Sequence, residues 1–131
     1  MFTKVGTAHV YVADQDRAKA FYTEVLGMEL RNDTPLYPGA TDRWLAVAPK
    51  GAATEIVLFK PDDGPSAHYK PIVGKSQAIT LDVTHIRQLV ADLKAKGVQF
   101  AQDVDVQPWG TFATLIDSEG NQILMVEEPG G

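Results

Sequence analysis

Three side chains on predicted strands have the chemistry for a reactive site, namely His9, Glu55 and Asp82. A neutral imidazole and two carboxylates could together hold a divalent metal ion. His9 could instead exchange a proton with a substrate, because imidazole titrates near neutral pH. The simpler alternative is that all three are polar groups that line a cavity and bond to each other, to water or to an organic ligand. His9 alone could also be a core histidine whose hydrogen bonds are satisfied.

Large aromatic side chains provide a second set of candidate binding residues, namely Tyr11, Trp44, Trp109 and Phe112. Rings offer much contact area at a small entropy cost, and Tyr and Trp add a polar tip. Ordinary core packing is the alternative for Trp44 and Phe112. Trp109 follows a proline and precedes a glycine, which is typical of a surface turn, so we expect it at the rim of a pocket.

The composition excludes several other classes of site. The chain has 131 residues and no cysteine, which removes disulfides, thiolate metal sites and cysteine nucleophiles. Its net charge of −5 argues against nucleic acid as a partner, and no apolar run is long enough for a membrane span. The sequence contains no phosphate-binding glycine loop, no Gly-x-Ser-x-Gly elbow and no His-Glu-x-x-His motif. We therefore expect a cytoplasmic protein with one compact domain and no cofactor, unless the three polar residues form a metal site.

Two helices that must position these residues are marked by caps and by periodicity. Asp14 predicts the start of the first helix, because its carboxylate can accept a free backbone N–H, and Gly27 predicts its end. Between them, apolar residues recur on one helical face at Ala18, Phe21, Tyr22, Val25 and Leu26. The second helix repeats the plan, with Thr84 or His85 as cap, Gly97 after its end, and a stripe of Ile86, Leu89, Val90 and Leu93.

Strand patterns fill the rest of each half. One strand precedes each helix, at 7–12 and 79–83, and two predicted hairpins follow, at 43–60 and 111–127. The two helix-ending glycines are separated by about half of the chain, which indicates two similar modules with a possible pocket where they meet. Residues 61–75, rich in proline and glycine, join the modules as a linker or a lid.

Two motifs resemble those of the vicinal oxygen chelate superfamily, which includes glyoxalase I, extradiol dioxygenases and bleomycin resistance proteins. Residues 14–30, centred on Phe21-Tyr22-Thr23-Glu24-Val25-Leu26-Gly27, resemble its first module. Trp109-Gly110-Thr111-Phe112, followed by the run 117–121, resembles the end of its second module. The resemblance implies an α+β fold in which two βαβββ modules, about 1–60 and 76–128, pair into a curved, cup-shaped mixed sheet. It also implies a homodimer, with the cup within one chain or shared across the twofold axis.

The resemblance also implies where a metal would be held. Enzymes of the superfamily usually place His and Glu ligands at four strand positions that face into the cup, and these match Thr7, Val57, Ala78 and Leu124. Valine, alanine and leucine have no donor atom, and a lone threonine is a poor ligand. We therefore predict that the family's metal centre is absent. His9, Glu55 and Asp82 lie an even number of residues from these positions, so they should share the same face.

The first functional hypothesis is a metal-free cup that binds a small organic molecule through aromatic stacking and a few polar groups. The alternative is an enzyme, either a glyoxalase-like lyase, an isomerase or a dioxygenase, that uses a displaced metal or metal-free acid/base catalysis. A third possibility is a structural or interaction module whose cup is filled by its own side chains. Fold alone does not decide among these functions.

Overall fold

The protein is described by a computed structural model that covers residues 1–76 and 78–130. The first half contains β1 (Thr7–Tyr11), α1 (Gln15–Ala20), β2 (Glu29–Pro35), β3 (Arg43–Ala48) and β4 (Glu55–Phe59). The second half contains β5 (Thr80–Asp82), α2 (Ile86–Ala95), β6 (Gln99–Gln107), β7 (Gly110–Ile116) and β8 (Gln122–Glu127). The predicted α+β architecture of two βαβββ modules is confirmed.

Each module forms its own four-stranded mixed sheet, with strand orders β1-β4-β3-β2 and β5-β8-β7-β6. The first strand runs parallel to the last strand of the same module, so β1 pairs with β4 and β5 with β8. The remaining neighbours are antiparallel. The same topology therefore occurs twice, as the repeat predicts.

One hydrophobic core joins the helix-covered faces of the two sheets. In the first sheet, Val10, Leu45 and Leu58 are fully buried, and in the second sheet Leu115 and Ile123 are buried in the same cluster. Strand alternation sends every second side chain to the opposite face of each sheet. The side chains on that opposite face are therefore not part of this core, and they can make other contacts.

The two helices begin differently. The Asp14 carboxylate accepts a hydrogen bond from the Arg17 backbone N–H at 3.0 Å, which confirms the predicted cap of α1. His85 precedes α2 in a left-handed conformation (φ 53°), but its side chain makes no capping hydrogen bond. The Glu127 carboxylate accepts from the Ile86 N–H at 3.0 Å instead. Glu127 therefore connects the end of β8 to the start of α2.

The turn between β7 and β8, residues 117–121, connects the two modules, and we call it the junction turn. Asp117 is buried and accepts the Tyr22 hydroxyl hydrogen at 2.7 Å. It also accepts the backbone N–H groups of Glu119 and Asn121, both at 2.8 Å, which shapes the turn itself. The Asn121 side-chain amide donates to the Tyr11 carbonyl at 3.0 Å. One polar turn of the second module is thus bonded to both the helix and the first strand of the first module.

Glu119 extends this junction to the start of α1. Its carboxylate accepts the backbone N–H groups of Ala13 and Asp14, both at 2.9 Å, and pairs with the Arg17 guanidinium at 2.7 Å. A Cβ atom on Gly74 would lie 2.7 Å from the Glu119 carbonyl oxygen, and Gly74 has a φ of +77°. Only glycine fits there without strain, so the end of the linker approaches the junction turn at backbone distance.

The linker at 61–75 is more ordered than the sequence suggests. It contains a 3₁₀ helix, Ala67–Ile72, where the prediction was irregular structure. The helical stripe of the first module is also modified, because α1 passes into a π-helix, Phe21–Val25, in place of one continuous α-helix. No helix in the described part of the chain is long and apolar enough to cross a membrane.

Candidate functional site

Aromatic side chains gather on the core-free side of the first sheet. His9 and Tyr11 alternate along β1 with the core residue Val10, so their rings point away from the core. Phe59 on β4 and Trp44 on β3 lie on the same side. We call the set of His9, Tyr11, Trp44 and Phe59 the aromatic face.

The rings of the aromatic face are in mutual contact. The His9 imidazole stacks on Phe59 with 5.5 Å between ring centroids, and it meets Trp44 edge-on at 5.6 Å. Tyr11 contacts both His9 and Phe59 edge-on at 6.2 Å. Such offset and edge-to-face pairs are the favoured geometries of aromatic rings, each contributing roughly 0.5–1.5 kcal/mol beyond burial. His9 is therefore the centre of a preorganised ring cluster.

The linker adds a fifth ring to this cluster. Tyr69, in the 3₁₀ helix, stacks on Tyr11 with ring centroids 4.8 Å apart and an angle of 10° between the ring planes. Burial raises the pKa of Tyr11, and the adjacent Tyr69 hydroxyl raises it further through charge and a hydrogen bond. The Tyr11 phenol therefore stays protonated at neutral pH. The linker reaches over the edge of the aromatic face, in the place expected of a lid.

The electrostatics of the aromatic face are set by His9. Burial lowers the pKa of this imidazole below its ordinary 6.5, because a charged ring would lose its hydration. His9 is therefore neutral at physiological pH, with one nitrogen that donates and one that accepts. The strand positions beside it carry Ala46 and Val57, both fully buried beneath the rings. The face thus offers apolar rings with a few neutral polar tips.

Glu55 lies on the same side of the sheet as His9 but is bound to a cation. It stands opposite Thr7 in the parallel register, whereas His9 stands opposite Val57. The Arg31 guanidinium lies 3.5 Å from the Glu55 carboxylate and also donates to the Ala52 carbonyl at 3.0 Å. Glu55 therefore belongs to an ion pair at the end of the sheet.

The remaining predicted site residues lie on the second sheet. Asp82 is the exposed last residue of β5. Trp109 occupies the β6–β7 turn with about half of its surface exposed, and its ring lies 5.2 Å from Phe112 on β7. The structure thus unites His9, Tyr11 and Trp44, places Glu55 on the same sheet, and separates Asp82, Trp109 and Phe112 from them.

The four residues matched by resemblance to metal-ligand positions lack the histidine and carboxylate donors that a metal site needs. Thr7 and Val57 lie on the core-free side of the first sheet, two residues out of register with each other, and Leu124 stands opposite Thr80 in the second sheet. Ala78 precedes β5 and is exposed. None of these supplies a histidine or carboxylate donor. Within residues 1–76 and 78–130, no three His, Asp or Glu side chains are grouped as a metal site would require.

Two members of the ring cluster were not among the predicted binding residues. Phe59 ends β4 at an even spacing from Glu55 and Val57, so the period-two pattern could have identified it. Tyr69 had no such signal, because its position depends on how the linker crosses back over β1. Local periodicity finds residues within a strand, whereas a contact between a linker and a strand depends on tertiary structure.

Comparison with known proteins agrees with this architecture. The family model for the Glyoxalase/Bleomycin resistance protein/Dioxygenase superfamily matches residues 4–131. The chain is 36% identical over 127 residues to Bacillus subtilis (strain 168) YetH, covering 97% of this chain and 100% of YetH. Among solved structures, TnmS3, an antibiotic binding protein from Streptomyces sp. CB03234, has 32% identity and a TM-score of 0.81, with 97% of each chain covered. A superfamily member from Sphaerobacter thermophilus DSM 20745 has 30% identity and a TM-score of 0.81, covering 97% of this chain and 98% of that chain.

Proposed function

Because this chain belongs to the glyoxalase/bleomycin resistance protein/dioxygenase superfamily, we propose that it binds a small organic molecule on its aromatic face. The observation that carries this proposal is the preorganised ring cluster around His9, in which Trp44 and Phe59 remain partly exposed. Rings that are already packed lose little freedom on binding, so their contact area is available to a ligand.

The chemistry of the face favours a ligand with a flat apolar part and a few hydrogen-bonding groups. The neutral imidazole of His9 can donate or accept, and the Tyr69 hydroxyl adds a second polar tip at the edge. The likeness to TnmS3, an antibiotic binding protein, supports an antibiotic or a similar organic molecule as the ligand class. We propose binding without chemical conversion and without a metal, since the superfamily's ligand positions carry Thr7, Val57, Ala78 and Leu124.

The second wall of the cup is proposed to come from a partner chain. Trp109 and Phe112 form their own ring pair on the second sheet, and no ring contact among the described residues joins them to the aromatic face. A homodimer in which the second sheet of one chain covers the aromatic face of the other would bring the two sets of rings together. Light scattering coupled to size exclusion measures this directly: we expect the mass of two chains, and a monomer at micromolar concentration would contradict it.

The two tryptophans of the chain allow a site-specific binding assay. In Trp109→Phe, Trp44 is the sole fluorescent tryptophan, and in Trp44→Phe the reporter is Trp109. A panel of antibiotics and metabolites is first screened for a rise in melting temperature, because a ligand that binds only the native state stabilises it. We expect such a ligand to change the Trp44 emission, and Tyr69→Ala to weaken its affinity roughly threefold to tenfold.

Tyr37→Ala is the matched control, since Tyr37 is an exposed tyrosine in the β2–β3 loop with no ring contact among the described residues. It should leave the affinity unchanged. A ligand that binds while the Trp44 emission stays constant would place the site elsewhere. A broad panel in which nothing raises the melting temperature would contradict the binding function itself.

A second candidate function is metal-free acid/base catalysis, which the lowered pKa of His9 favours. A neutral imidazole at physiological pH can accept a proton from a bound substrate. His9→Asn keeps a hydrogen-bonding side chain but cannot act as a base. Loss of turnover in His9→Asn with ligand affinity retained would support catalysis, whereas equal loss of both would indicate a binding role only.

A further inference from the structure

Because the fold is repeated, the two modules meet at two equivalent junctions. These junctions differ in their contacts. At one junction, the polar turn between β7 and β8 is bonded to Tyr22, Tyr11 and the start of α1. The equivalent turn between β3 and β4 begins at Pro49 and Lys50 and faces α2. There, an open cavity of about 220 Å³ lies where the first junction has its hydrogen-bonded turn.

The lining of this cavity is aliphatic. Its walls come from the end of the first helix, from β5, from α2 and from the core strands of the second sheet, and they consist of Leu26, Met28, Leu81, Val83, Leu89, Leu93, Leu115 and Met125. The described residues that line it include no aromatic ring. A dry cavity of about 150 Å³ lined by aliphatic and aromatic side chains is enough to bind benzene. The cavity is therefore large enough for an alkyl chain and chemically unlike the aromatic face.

The charge at the mouth of the cavity indicates which polar group a bound alkyl chain would carry. Lys50 stands on the exposed turn at the rim, and it forms no salt bridge with any described residue. Asp82 also borders the cavity, but it follows the core-packed Leu81 in β5, so strand alternation places its side chain on the opposite face of the sheet. Among the described residues that line the cavity, Lys50 is therefore the cation at its mouth.

We propose that this cavity is a second binding site, distinct from the aromatic face, for an aliphatic chain that ends in a carboxylate. The alkyl part lies against the leucine and methionine side chains, which removes apolar surface of both partners from water. The carboxylate lies at the mouth and pairs with Lys50. This proposal does not depend on the function of the aromatic face.

The three methionines of the chain permit a direct test, because Met28 and Met125 line the cavity while Met1 is fully exposed at the N-terminus. Protein labelled with ¹³C at the methionine methyl groups is titrated with decanoate below its micellar concentration. We expect the Met28 and Met125 methyl signals to shift in a saturable manner while the Met1 signal remains in place. A titration without such shifts overturns the proposal.

Variants separate this site from the alternatives. Lys50→Glu should weaken decanoate binding roughly threefold to tenfold, as expected for reversal of one partly exposed charge, and Lys75→Glu is the control at the other junction. Decanol should bind more weakly than decanoate to the unmodified protein. Trp44→Ala should leave decanoate binding unchanged, and loss of binding in that variant would assign decanoate to the aromatic face and overturn the proposal.

The alternative occupant of this cavity, to be tested against decanoate, is a second copy of the chain. Leu89→Trp fills the cavity with a larger side chain, so it should abolish the methionine shifts without altering the mass of the protein in solution. If Leu89→Trp instead reduces the mass to that of one chain, the cavity is a subunit interface and the proposal is wrong. Should Leu89→Trp fail to fold, the Lys50→Glu titration still decides the outcome, because its change lies on an exposed turn.

Discussion

Removing one hydroxyl group from the module junction should destabilise the whole chain. The Tyr22 side chain is fully buried, and its hydroxyl donates to the Asp117 carboxylate at 2.7 Å. Tyr22→Phe keeps the ring and its packing, so the change is confined to one hydrogen bond. The carboxylate retains the donors from Glu119 and Asn121 but loses the Tyr22 hydroxyl.

The expected loss follows from the charge and the burial of the two groups. A hydrogen bond to an ionised group contributes roughly 1.5–3 kcal/mol, and a buried acceptor left without its donor falls within that range. Tyr22→Phe should therefore lower the free energy of unfolding by about 2 kcal/mol. For a chain of this length, that corresponds to a melting temperature lower by roughly 6–10 °C.

The stability that the Tyr22–Asp117 contact provides should also depend on pH. Burial raises the pKa of Tyr22 well above its ordinary 10.0, and the negative charge of Asp117 raises it further. Above pH 10.0 the unfolded chain releases the Tyr22 proton while the folded chain retains it, so this contribution to stability is lost as the pH rises. The Phe variant has no such proton, and the difference between the two proteins should shrink at alkaline pH.

Urea unfolding, followed by circular dichroism at neutral pH and above pH 10.0, measures both effects. Tyr37→Phe is the matched control, because its hydroxyl is exposed and its loss should change stability by less than about 0.5 kcal/mol. A Tyr22→Phe variant as stable as the Tyr37→Phe control would refute the assigned role of the junction. An undiminished difference at alkaline pH would refute the reasoning about the proton.

Three further outcomes are expected. Burial alone would raise the pKa of Glu119, but its hydrogen bonds outweigh burial and lower the pKa. Glu119→Gln should therefore lower the free energy of unfolding in urea by about 1 kcal/mol at neutral pH. The loss should become progressively smaller as the pH falls below 4.5, where the carboxylate takes up a proton. Gly74→Ala should destabilise by roughly 1–3 kcal/mol because its Cβ meets backbone at φ +77°, whereas Gly6→Ala, with open space around it, should unfold in urea like the parent. Purified protein should carry no stoichiometric metal, and an equivalent of tightly held zinc, nickel, manganese or iron by elemental analysis would contradict that prediction.

The parts of the fold that could be predicted from the sequence are those fixed by neighbouring residues. Asp14 caps α1 as expected, because an N-cap needs only a side chain and a backbone N–H three residues apart. The strands Arg43–Ala48 and Gln122–Glu127 begin and end the two predicted hairpins respectively, since alternation and flanking turns define them locally. Repetition of this local pattern was sufficient to predict two modules.

Contacts between residues that are far apart in the sequence could not be predicted from local patterns. Glu127 caps α2 from the last position of β8, and no local pattern marks it as a cap. Asp117 bonds its own turn, which is a local contact, but its bond to Tyr22 depends on how the modules pack. The grouping of His9 with Asp82 assumed that both modules present their strands to one space, whereas each strand belongs to a separate sheet.

The unequal junctions have a consequence for how the native molecule opens. The end held by Asp117, Glu119 and Asn121 can separate only when several hydrogen bonds, two of them buried, break together. The opposite end, where Lys50 borders the cavity, has no equivalent set of bonds among its lining residues. We therefore expect the two halves of a nearly symmetric molecule to differ in hydrogen exchange, with the amides of β1 near Tyr11 exchanging more slowly than those of β5 near Asp82. When the native molecule fluctuates, the modules should therefore separate first at the cavity end, while the junction turn stays bonded.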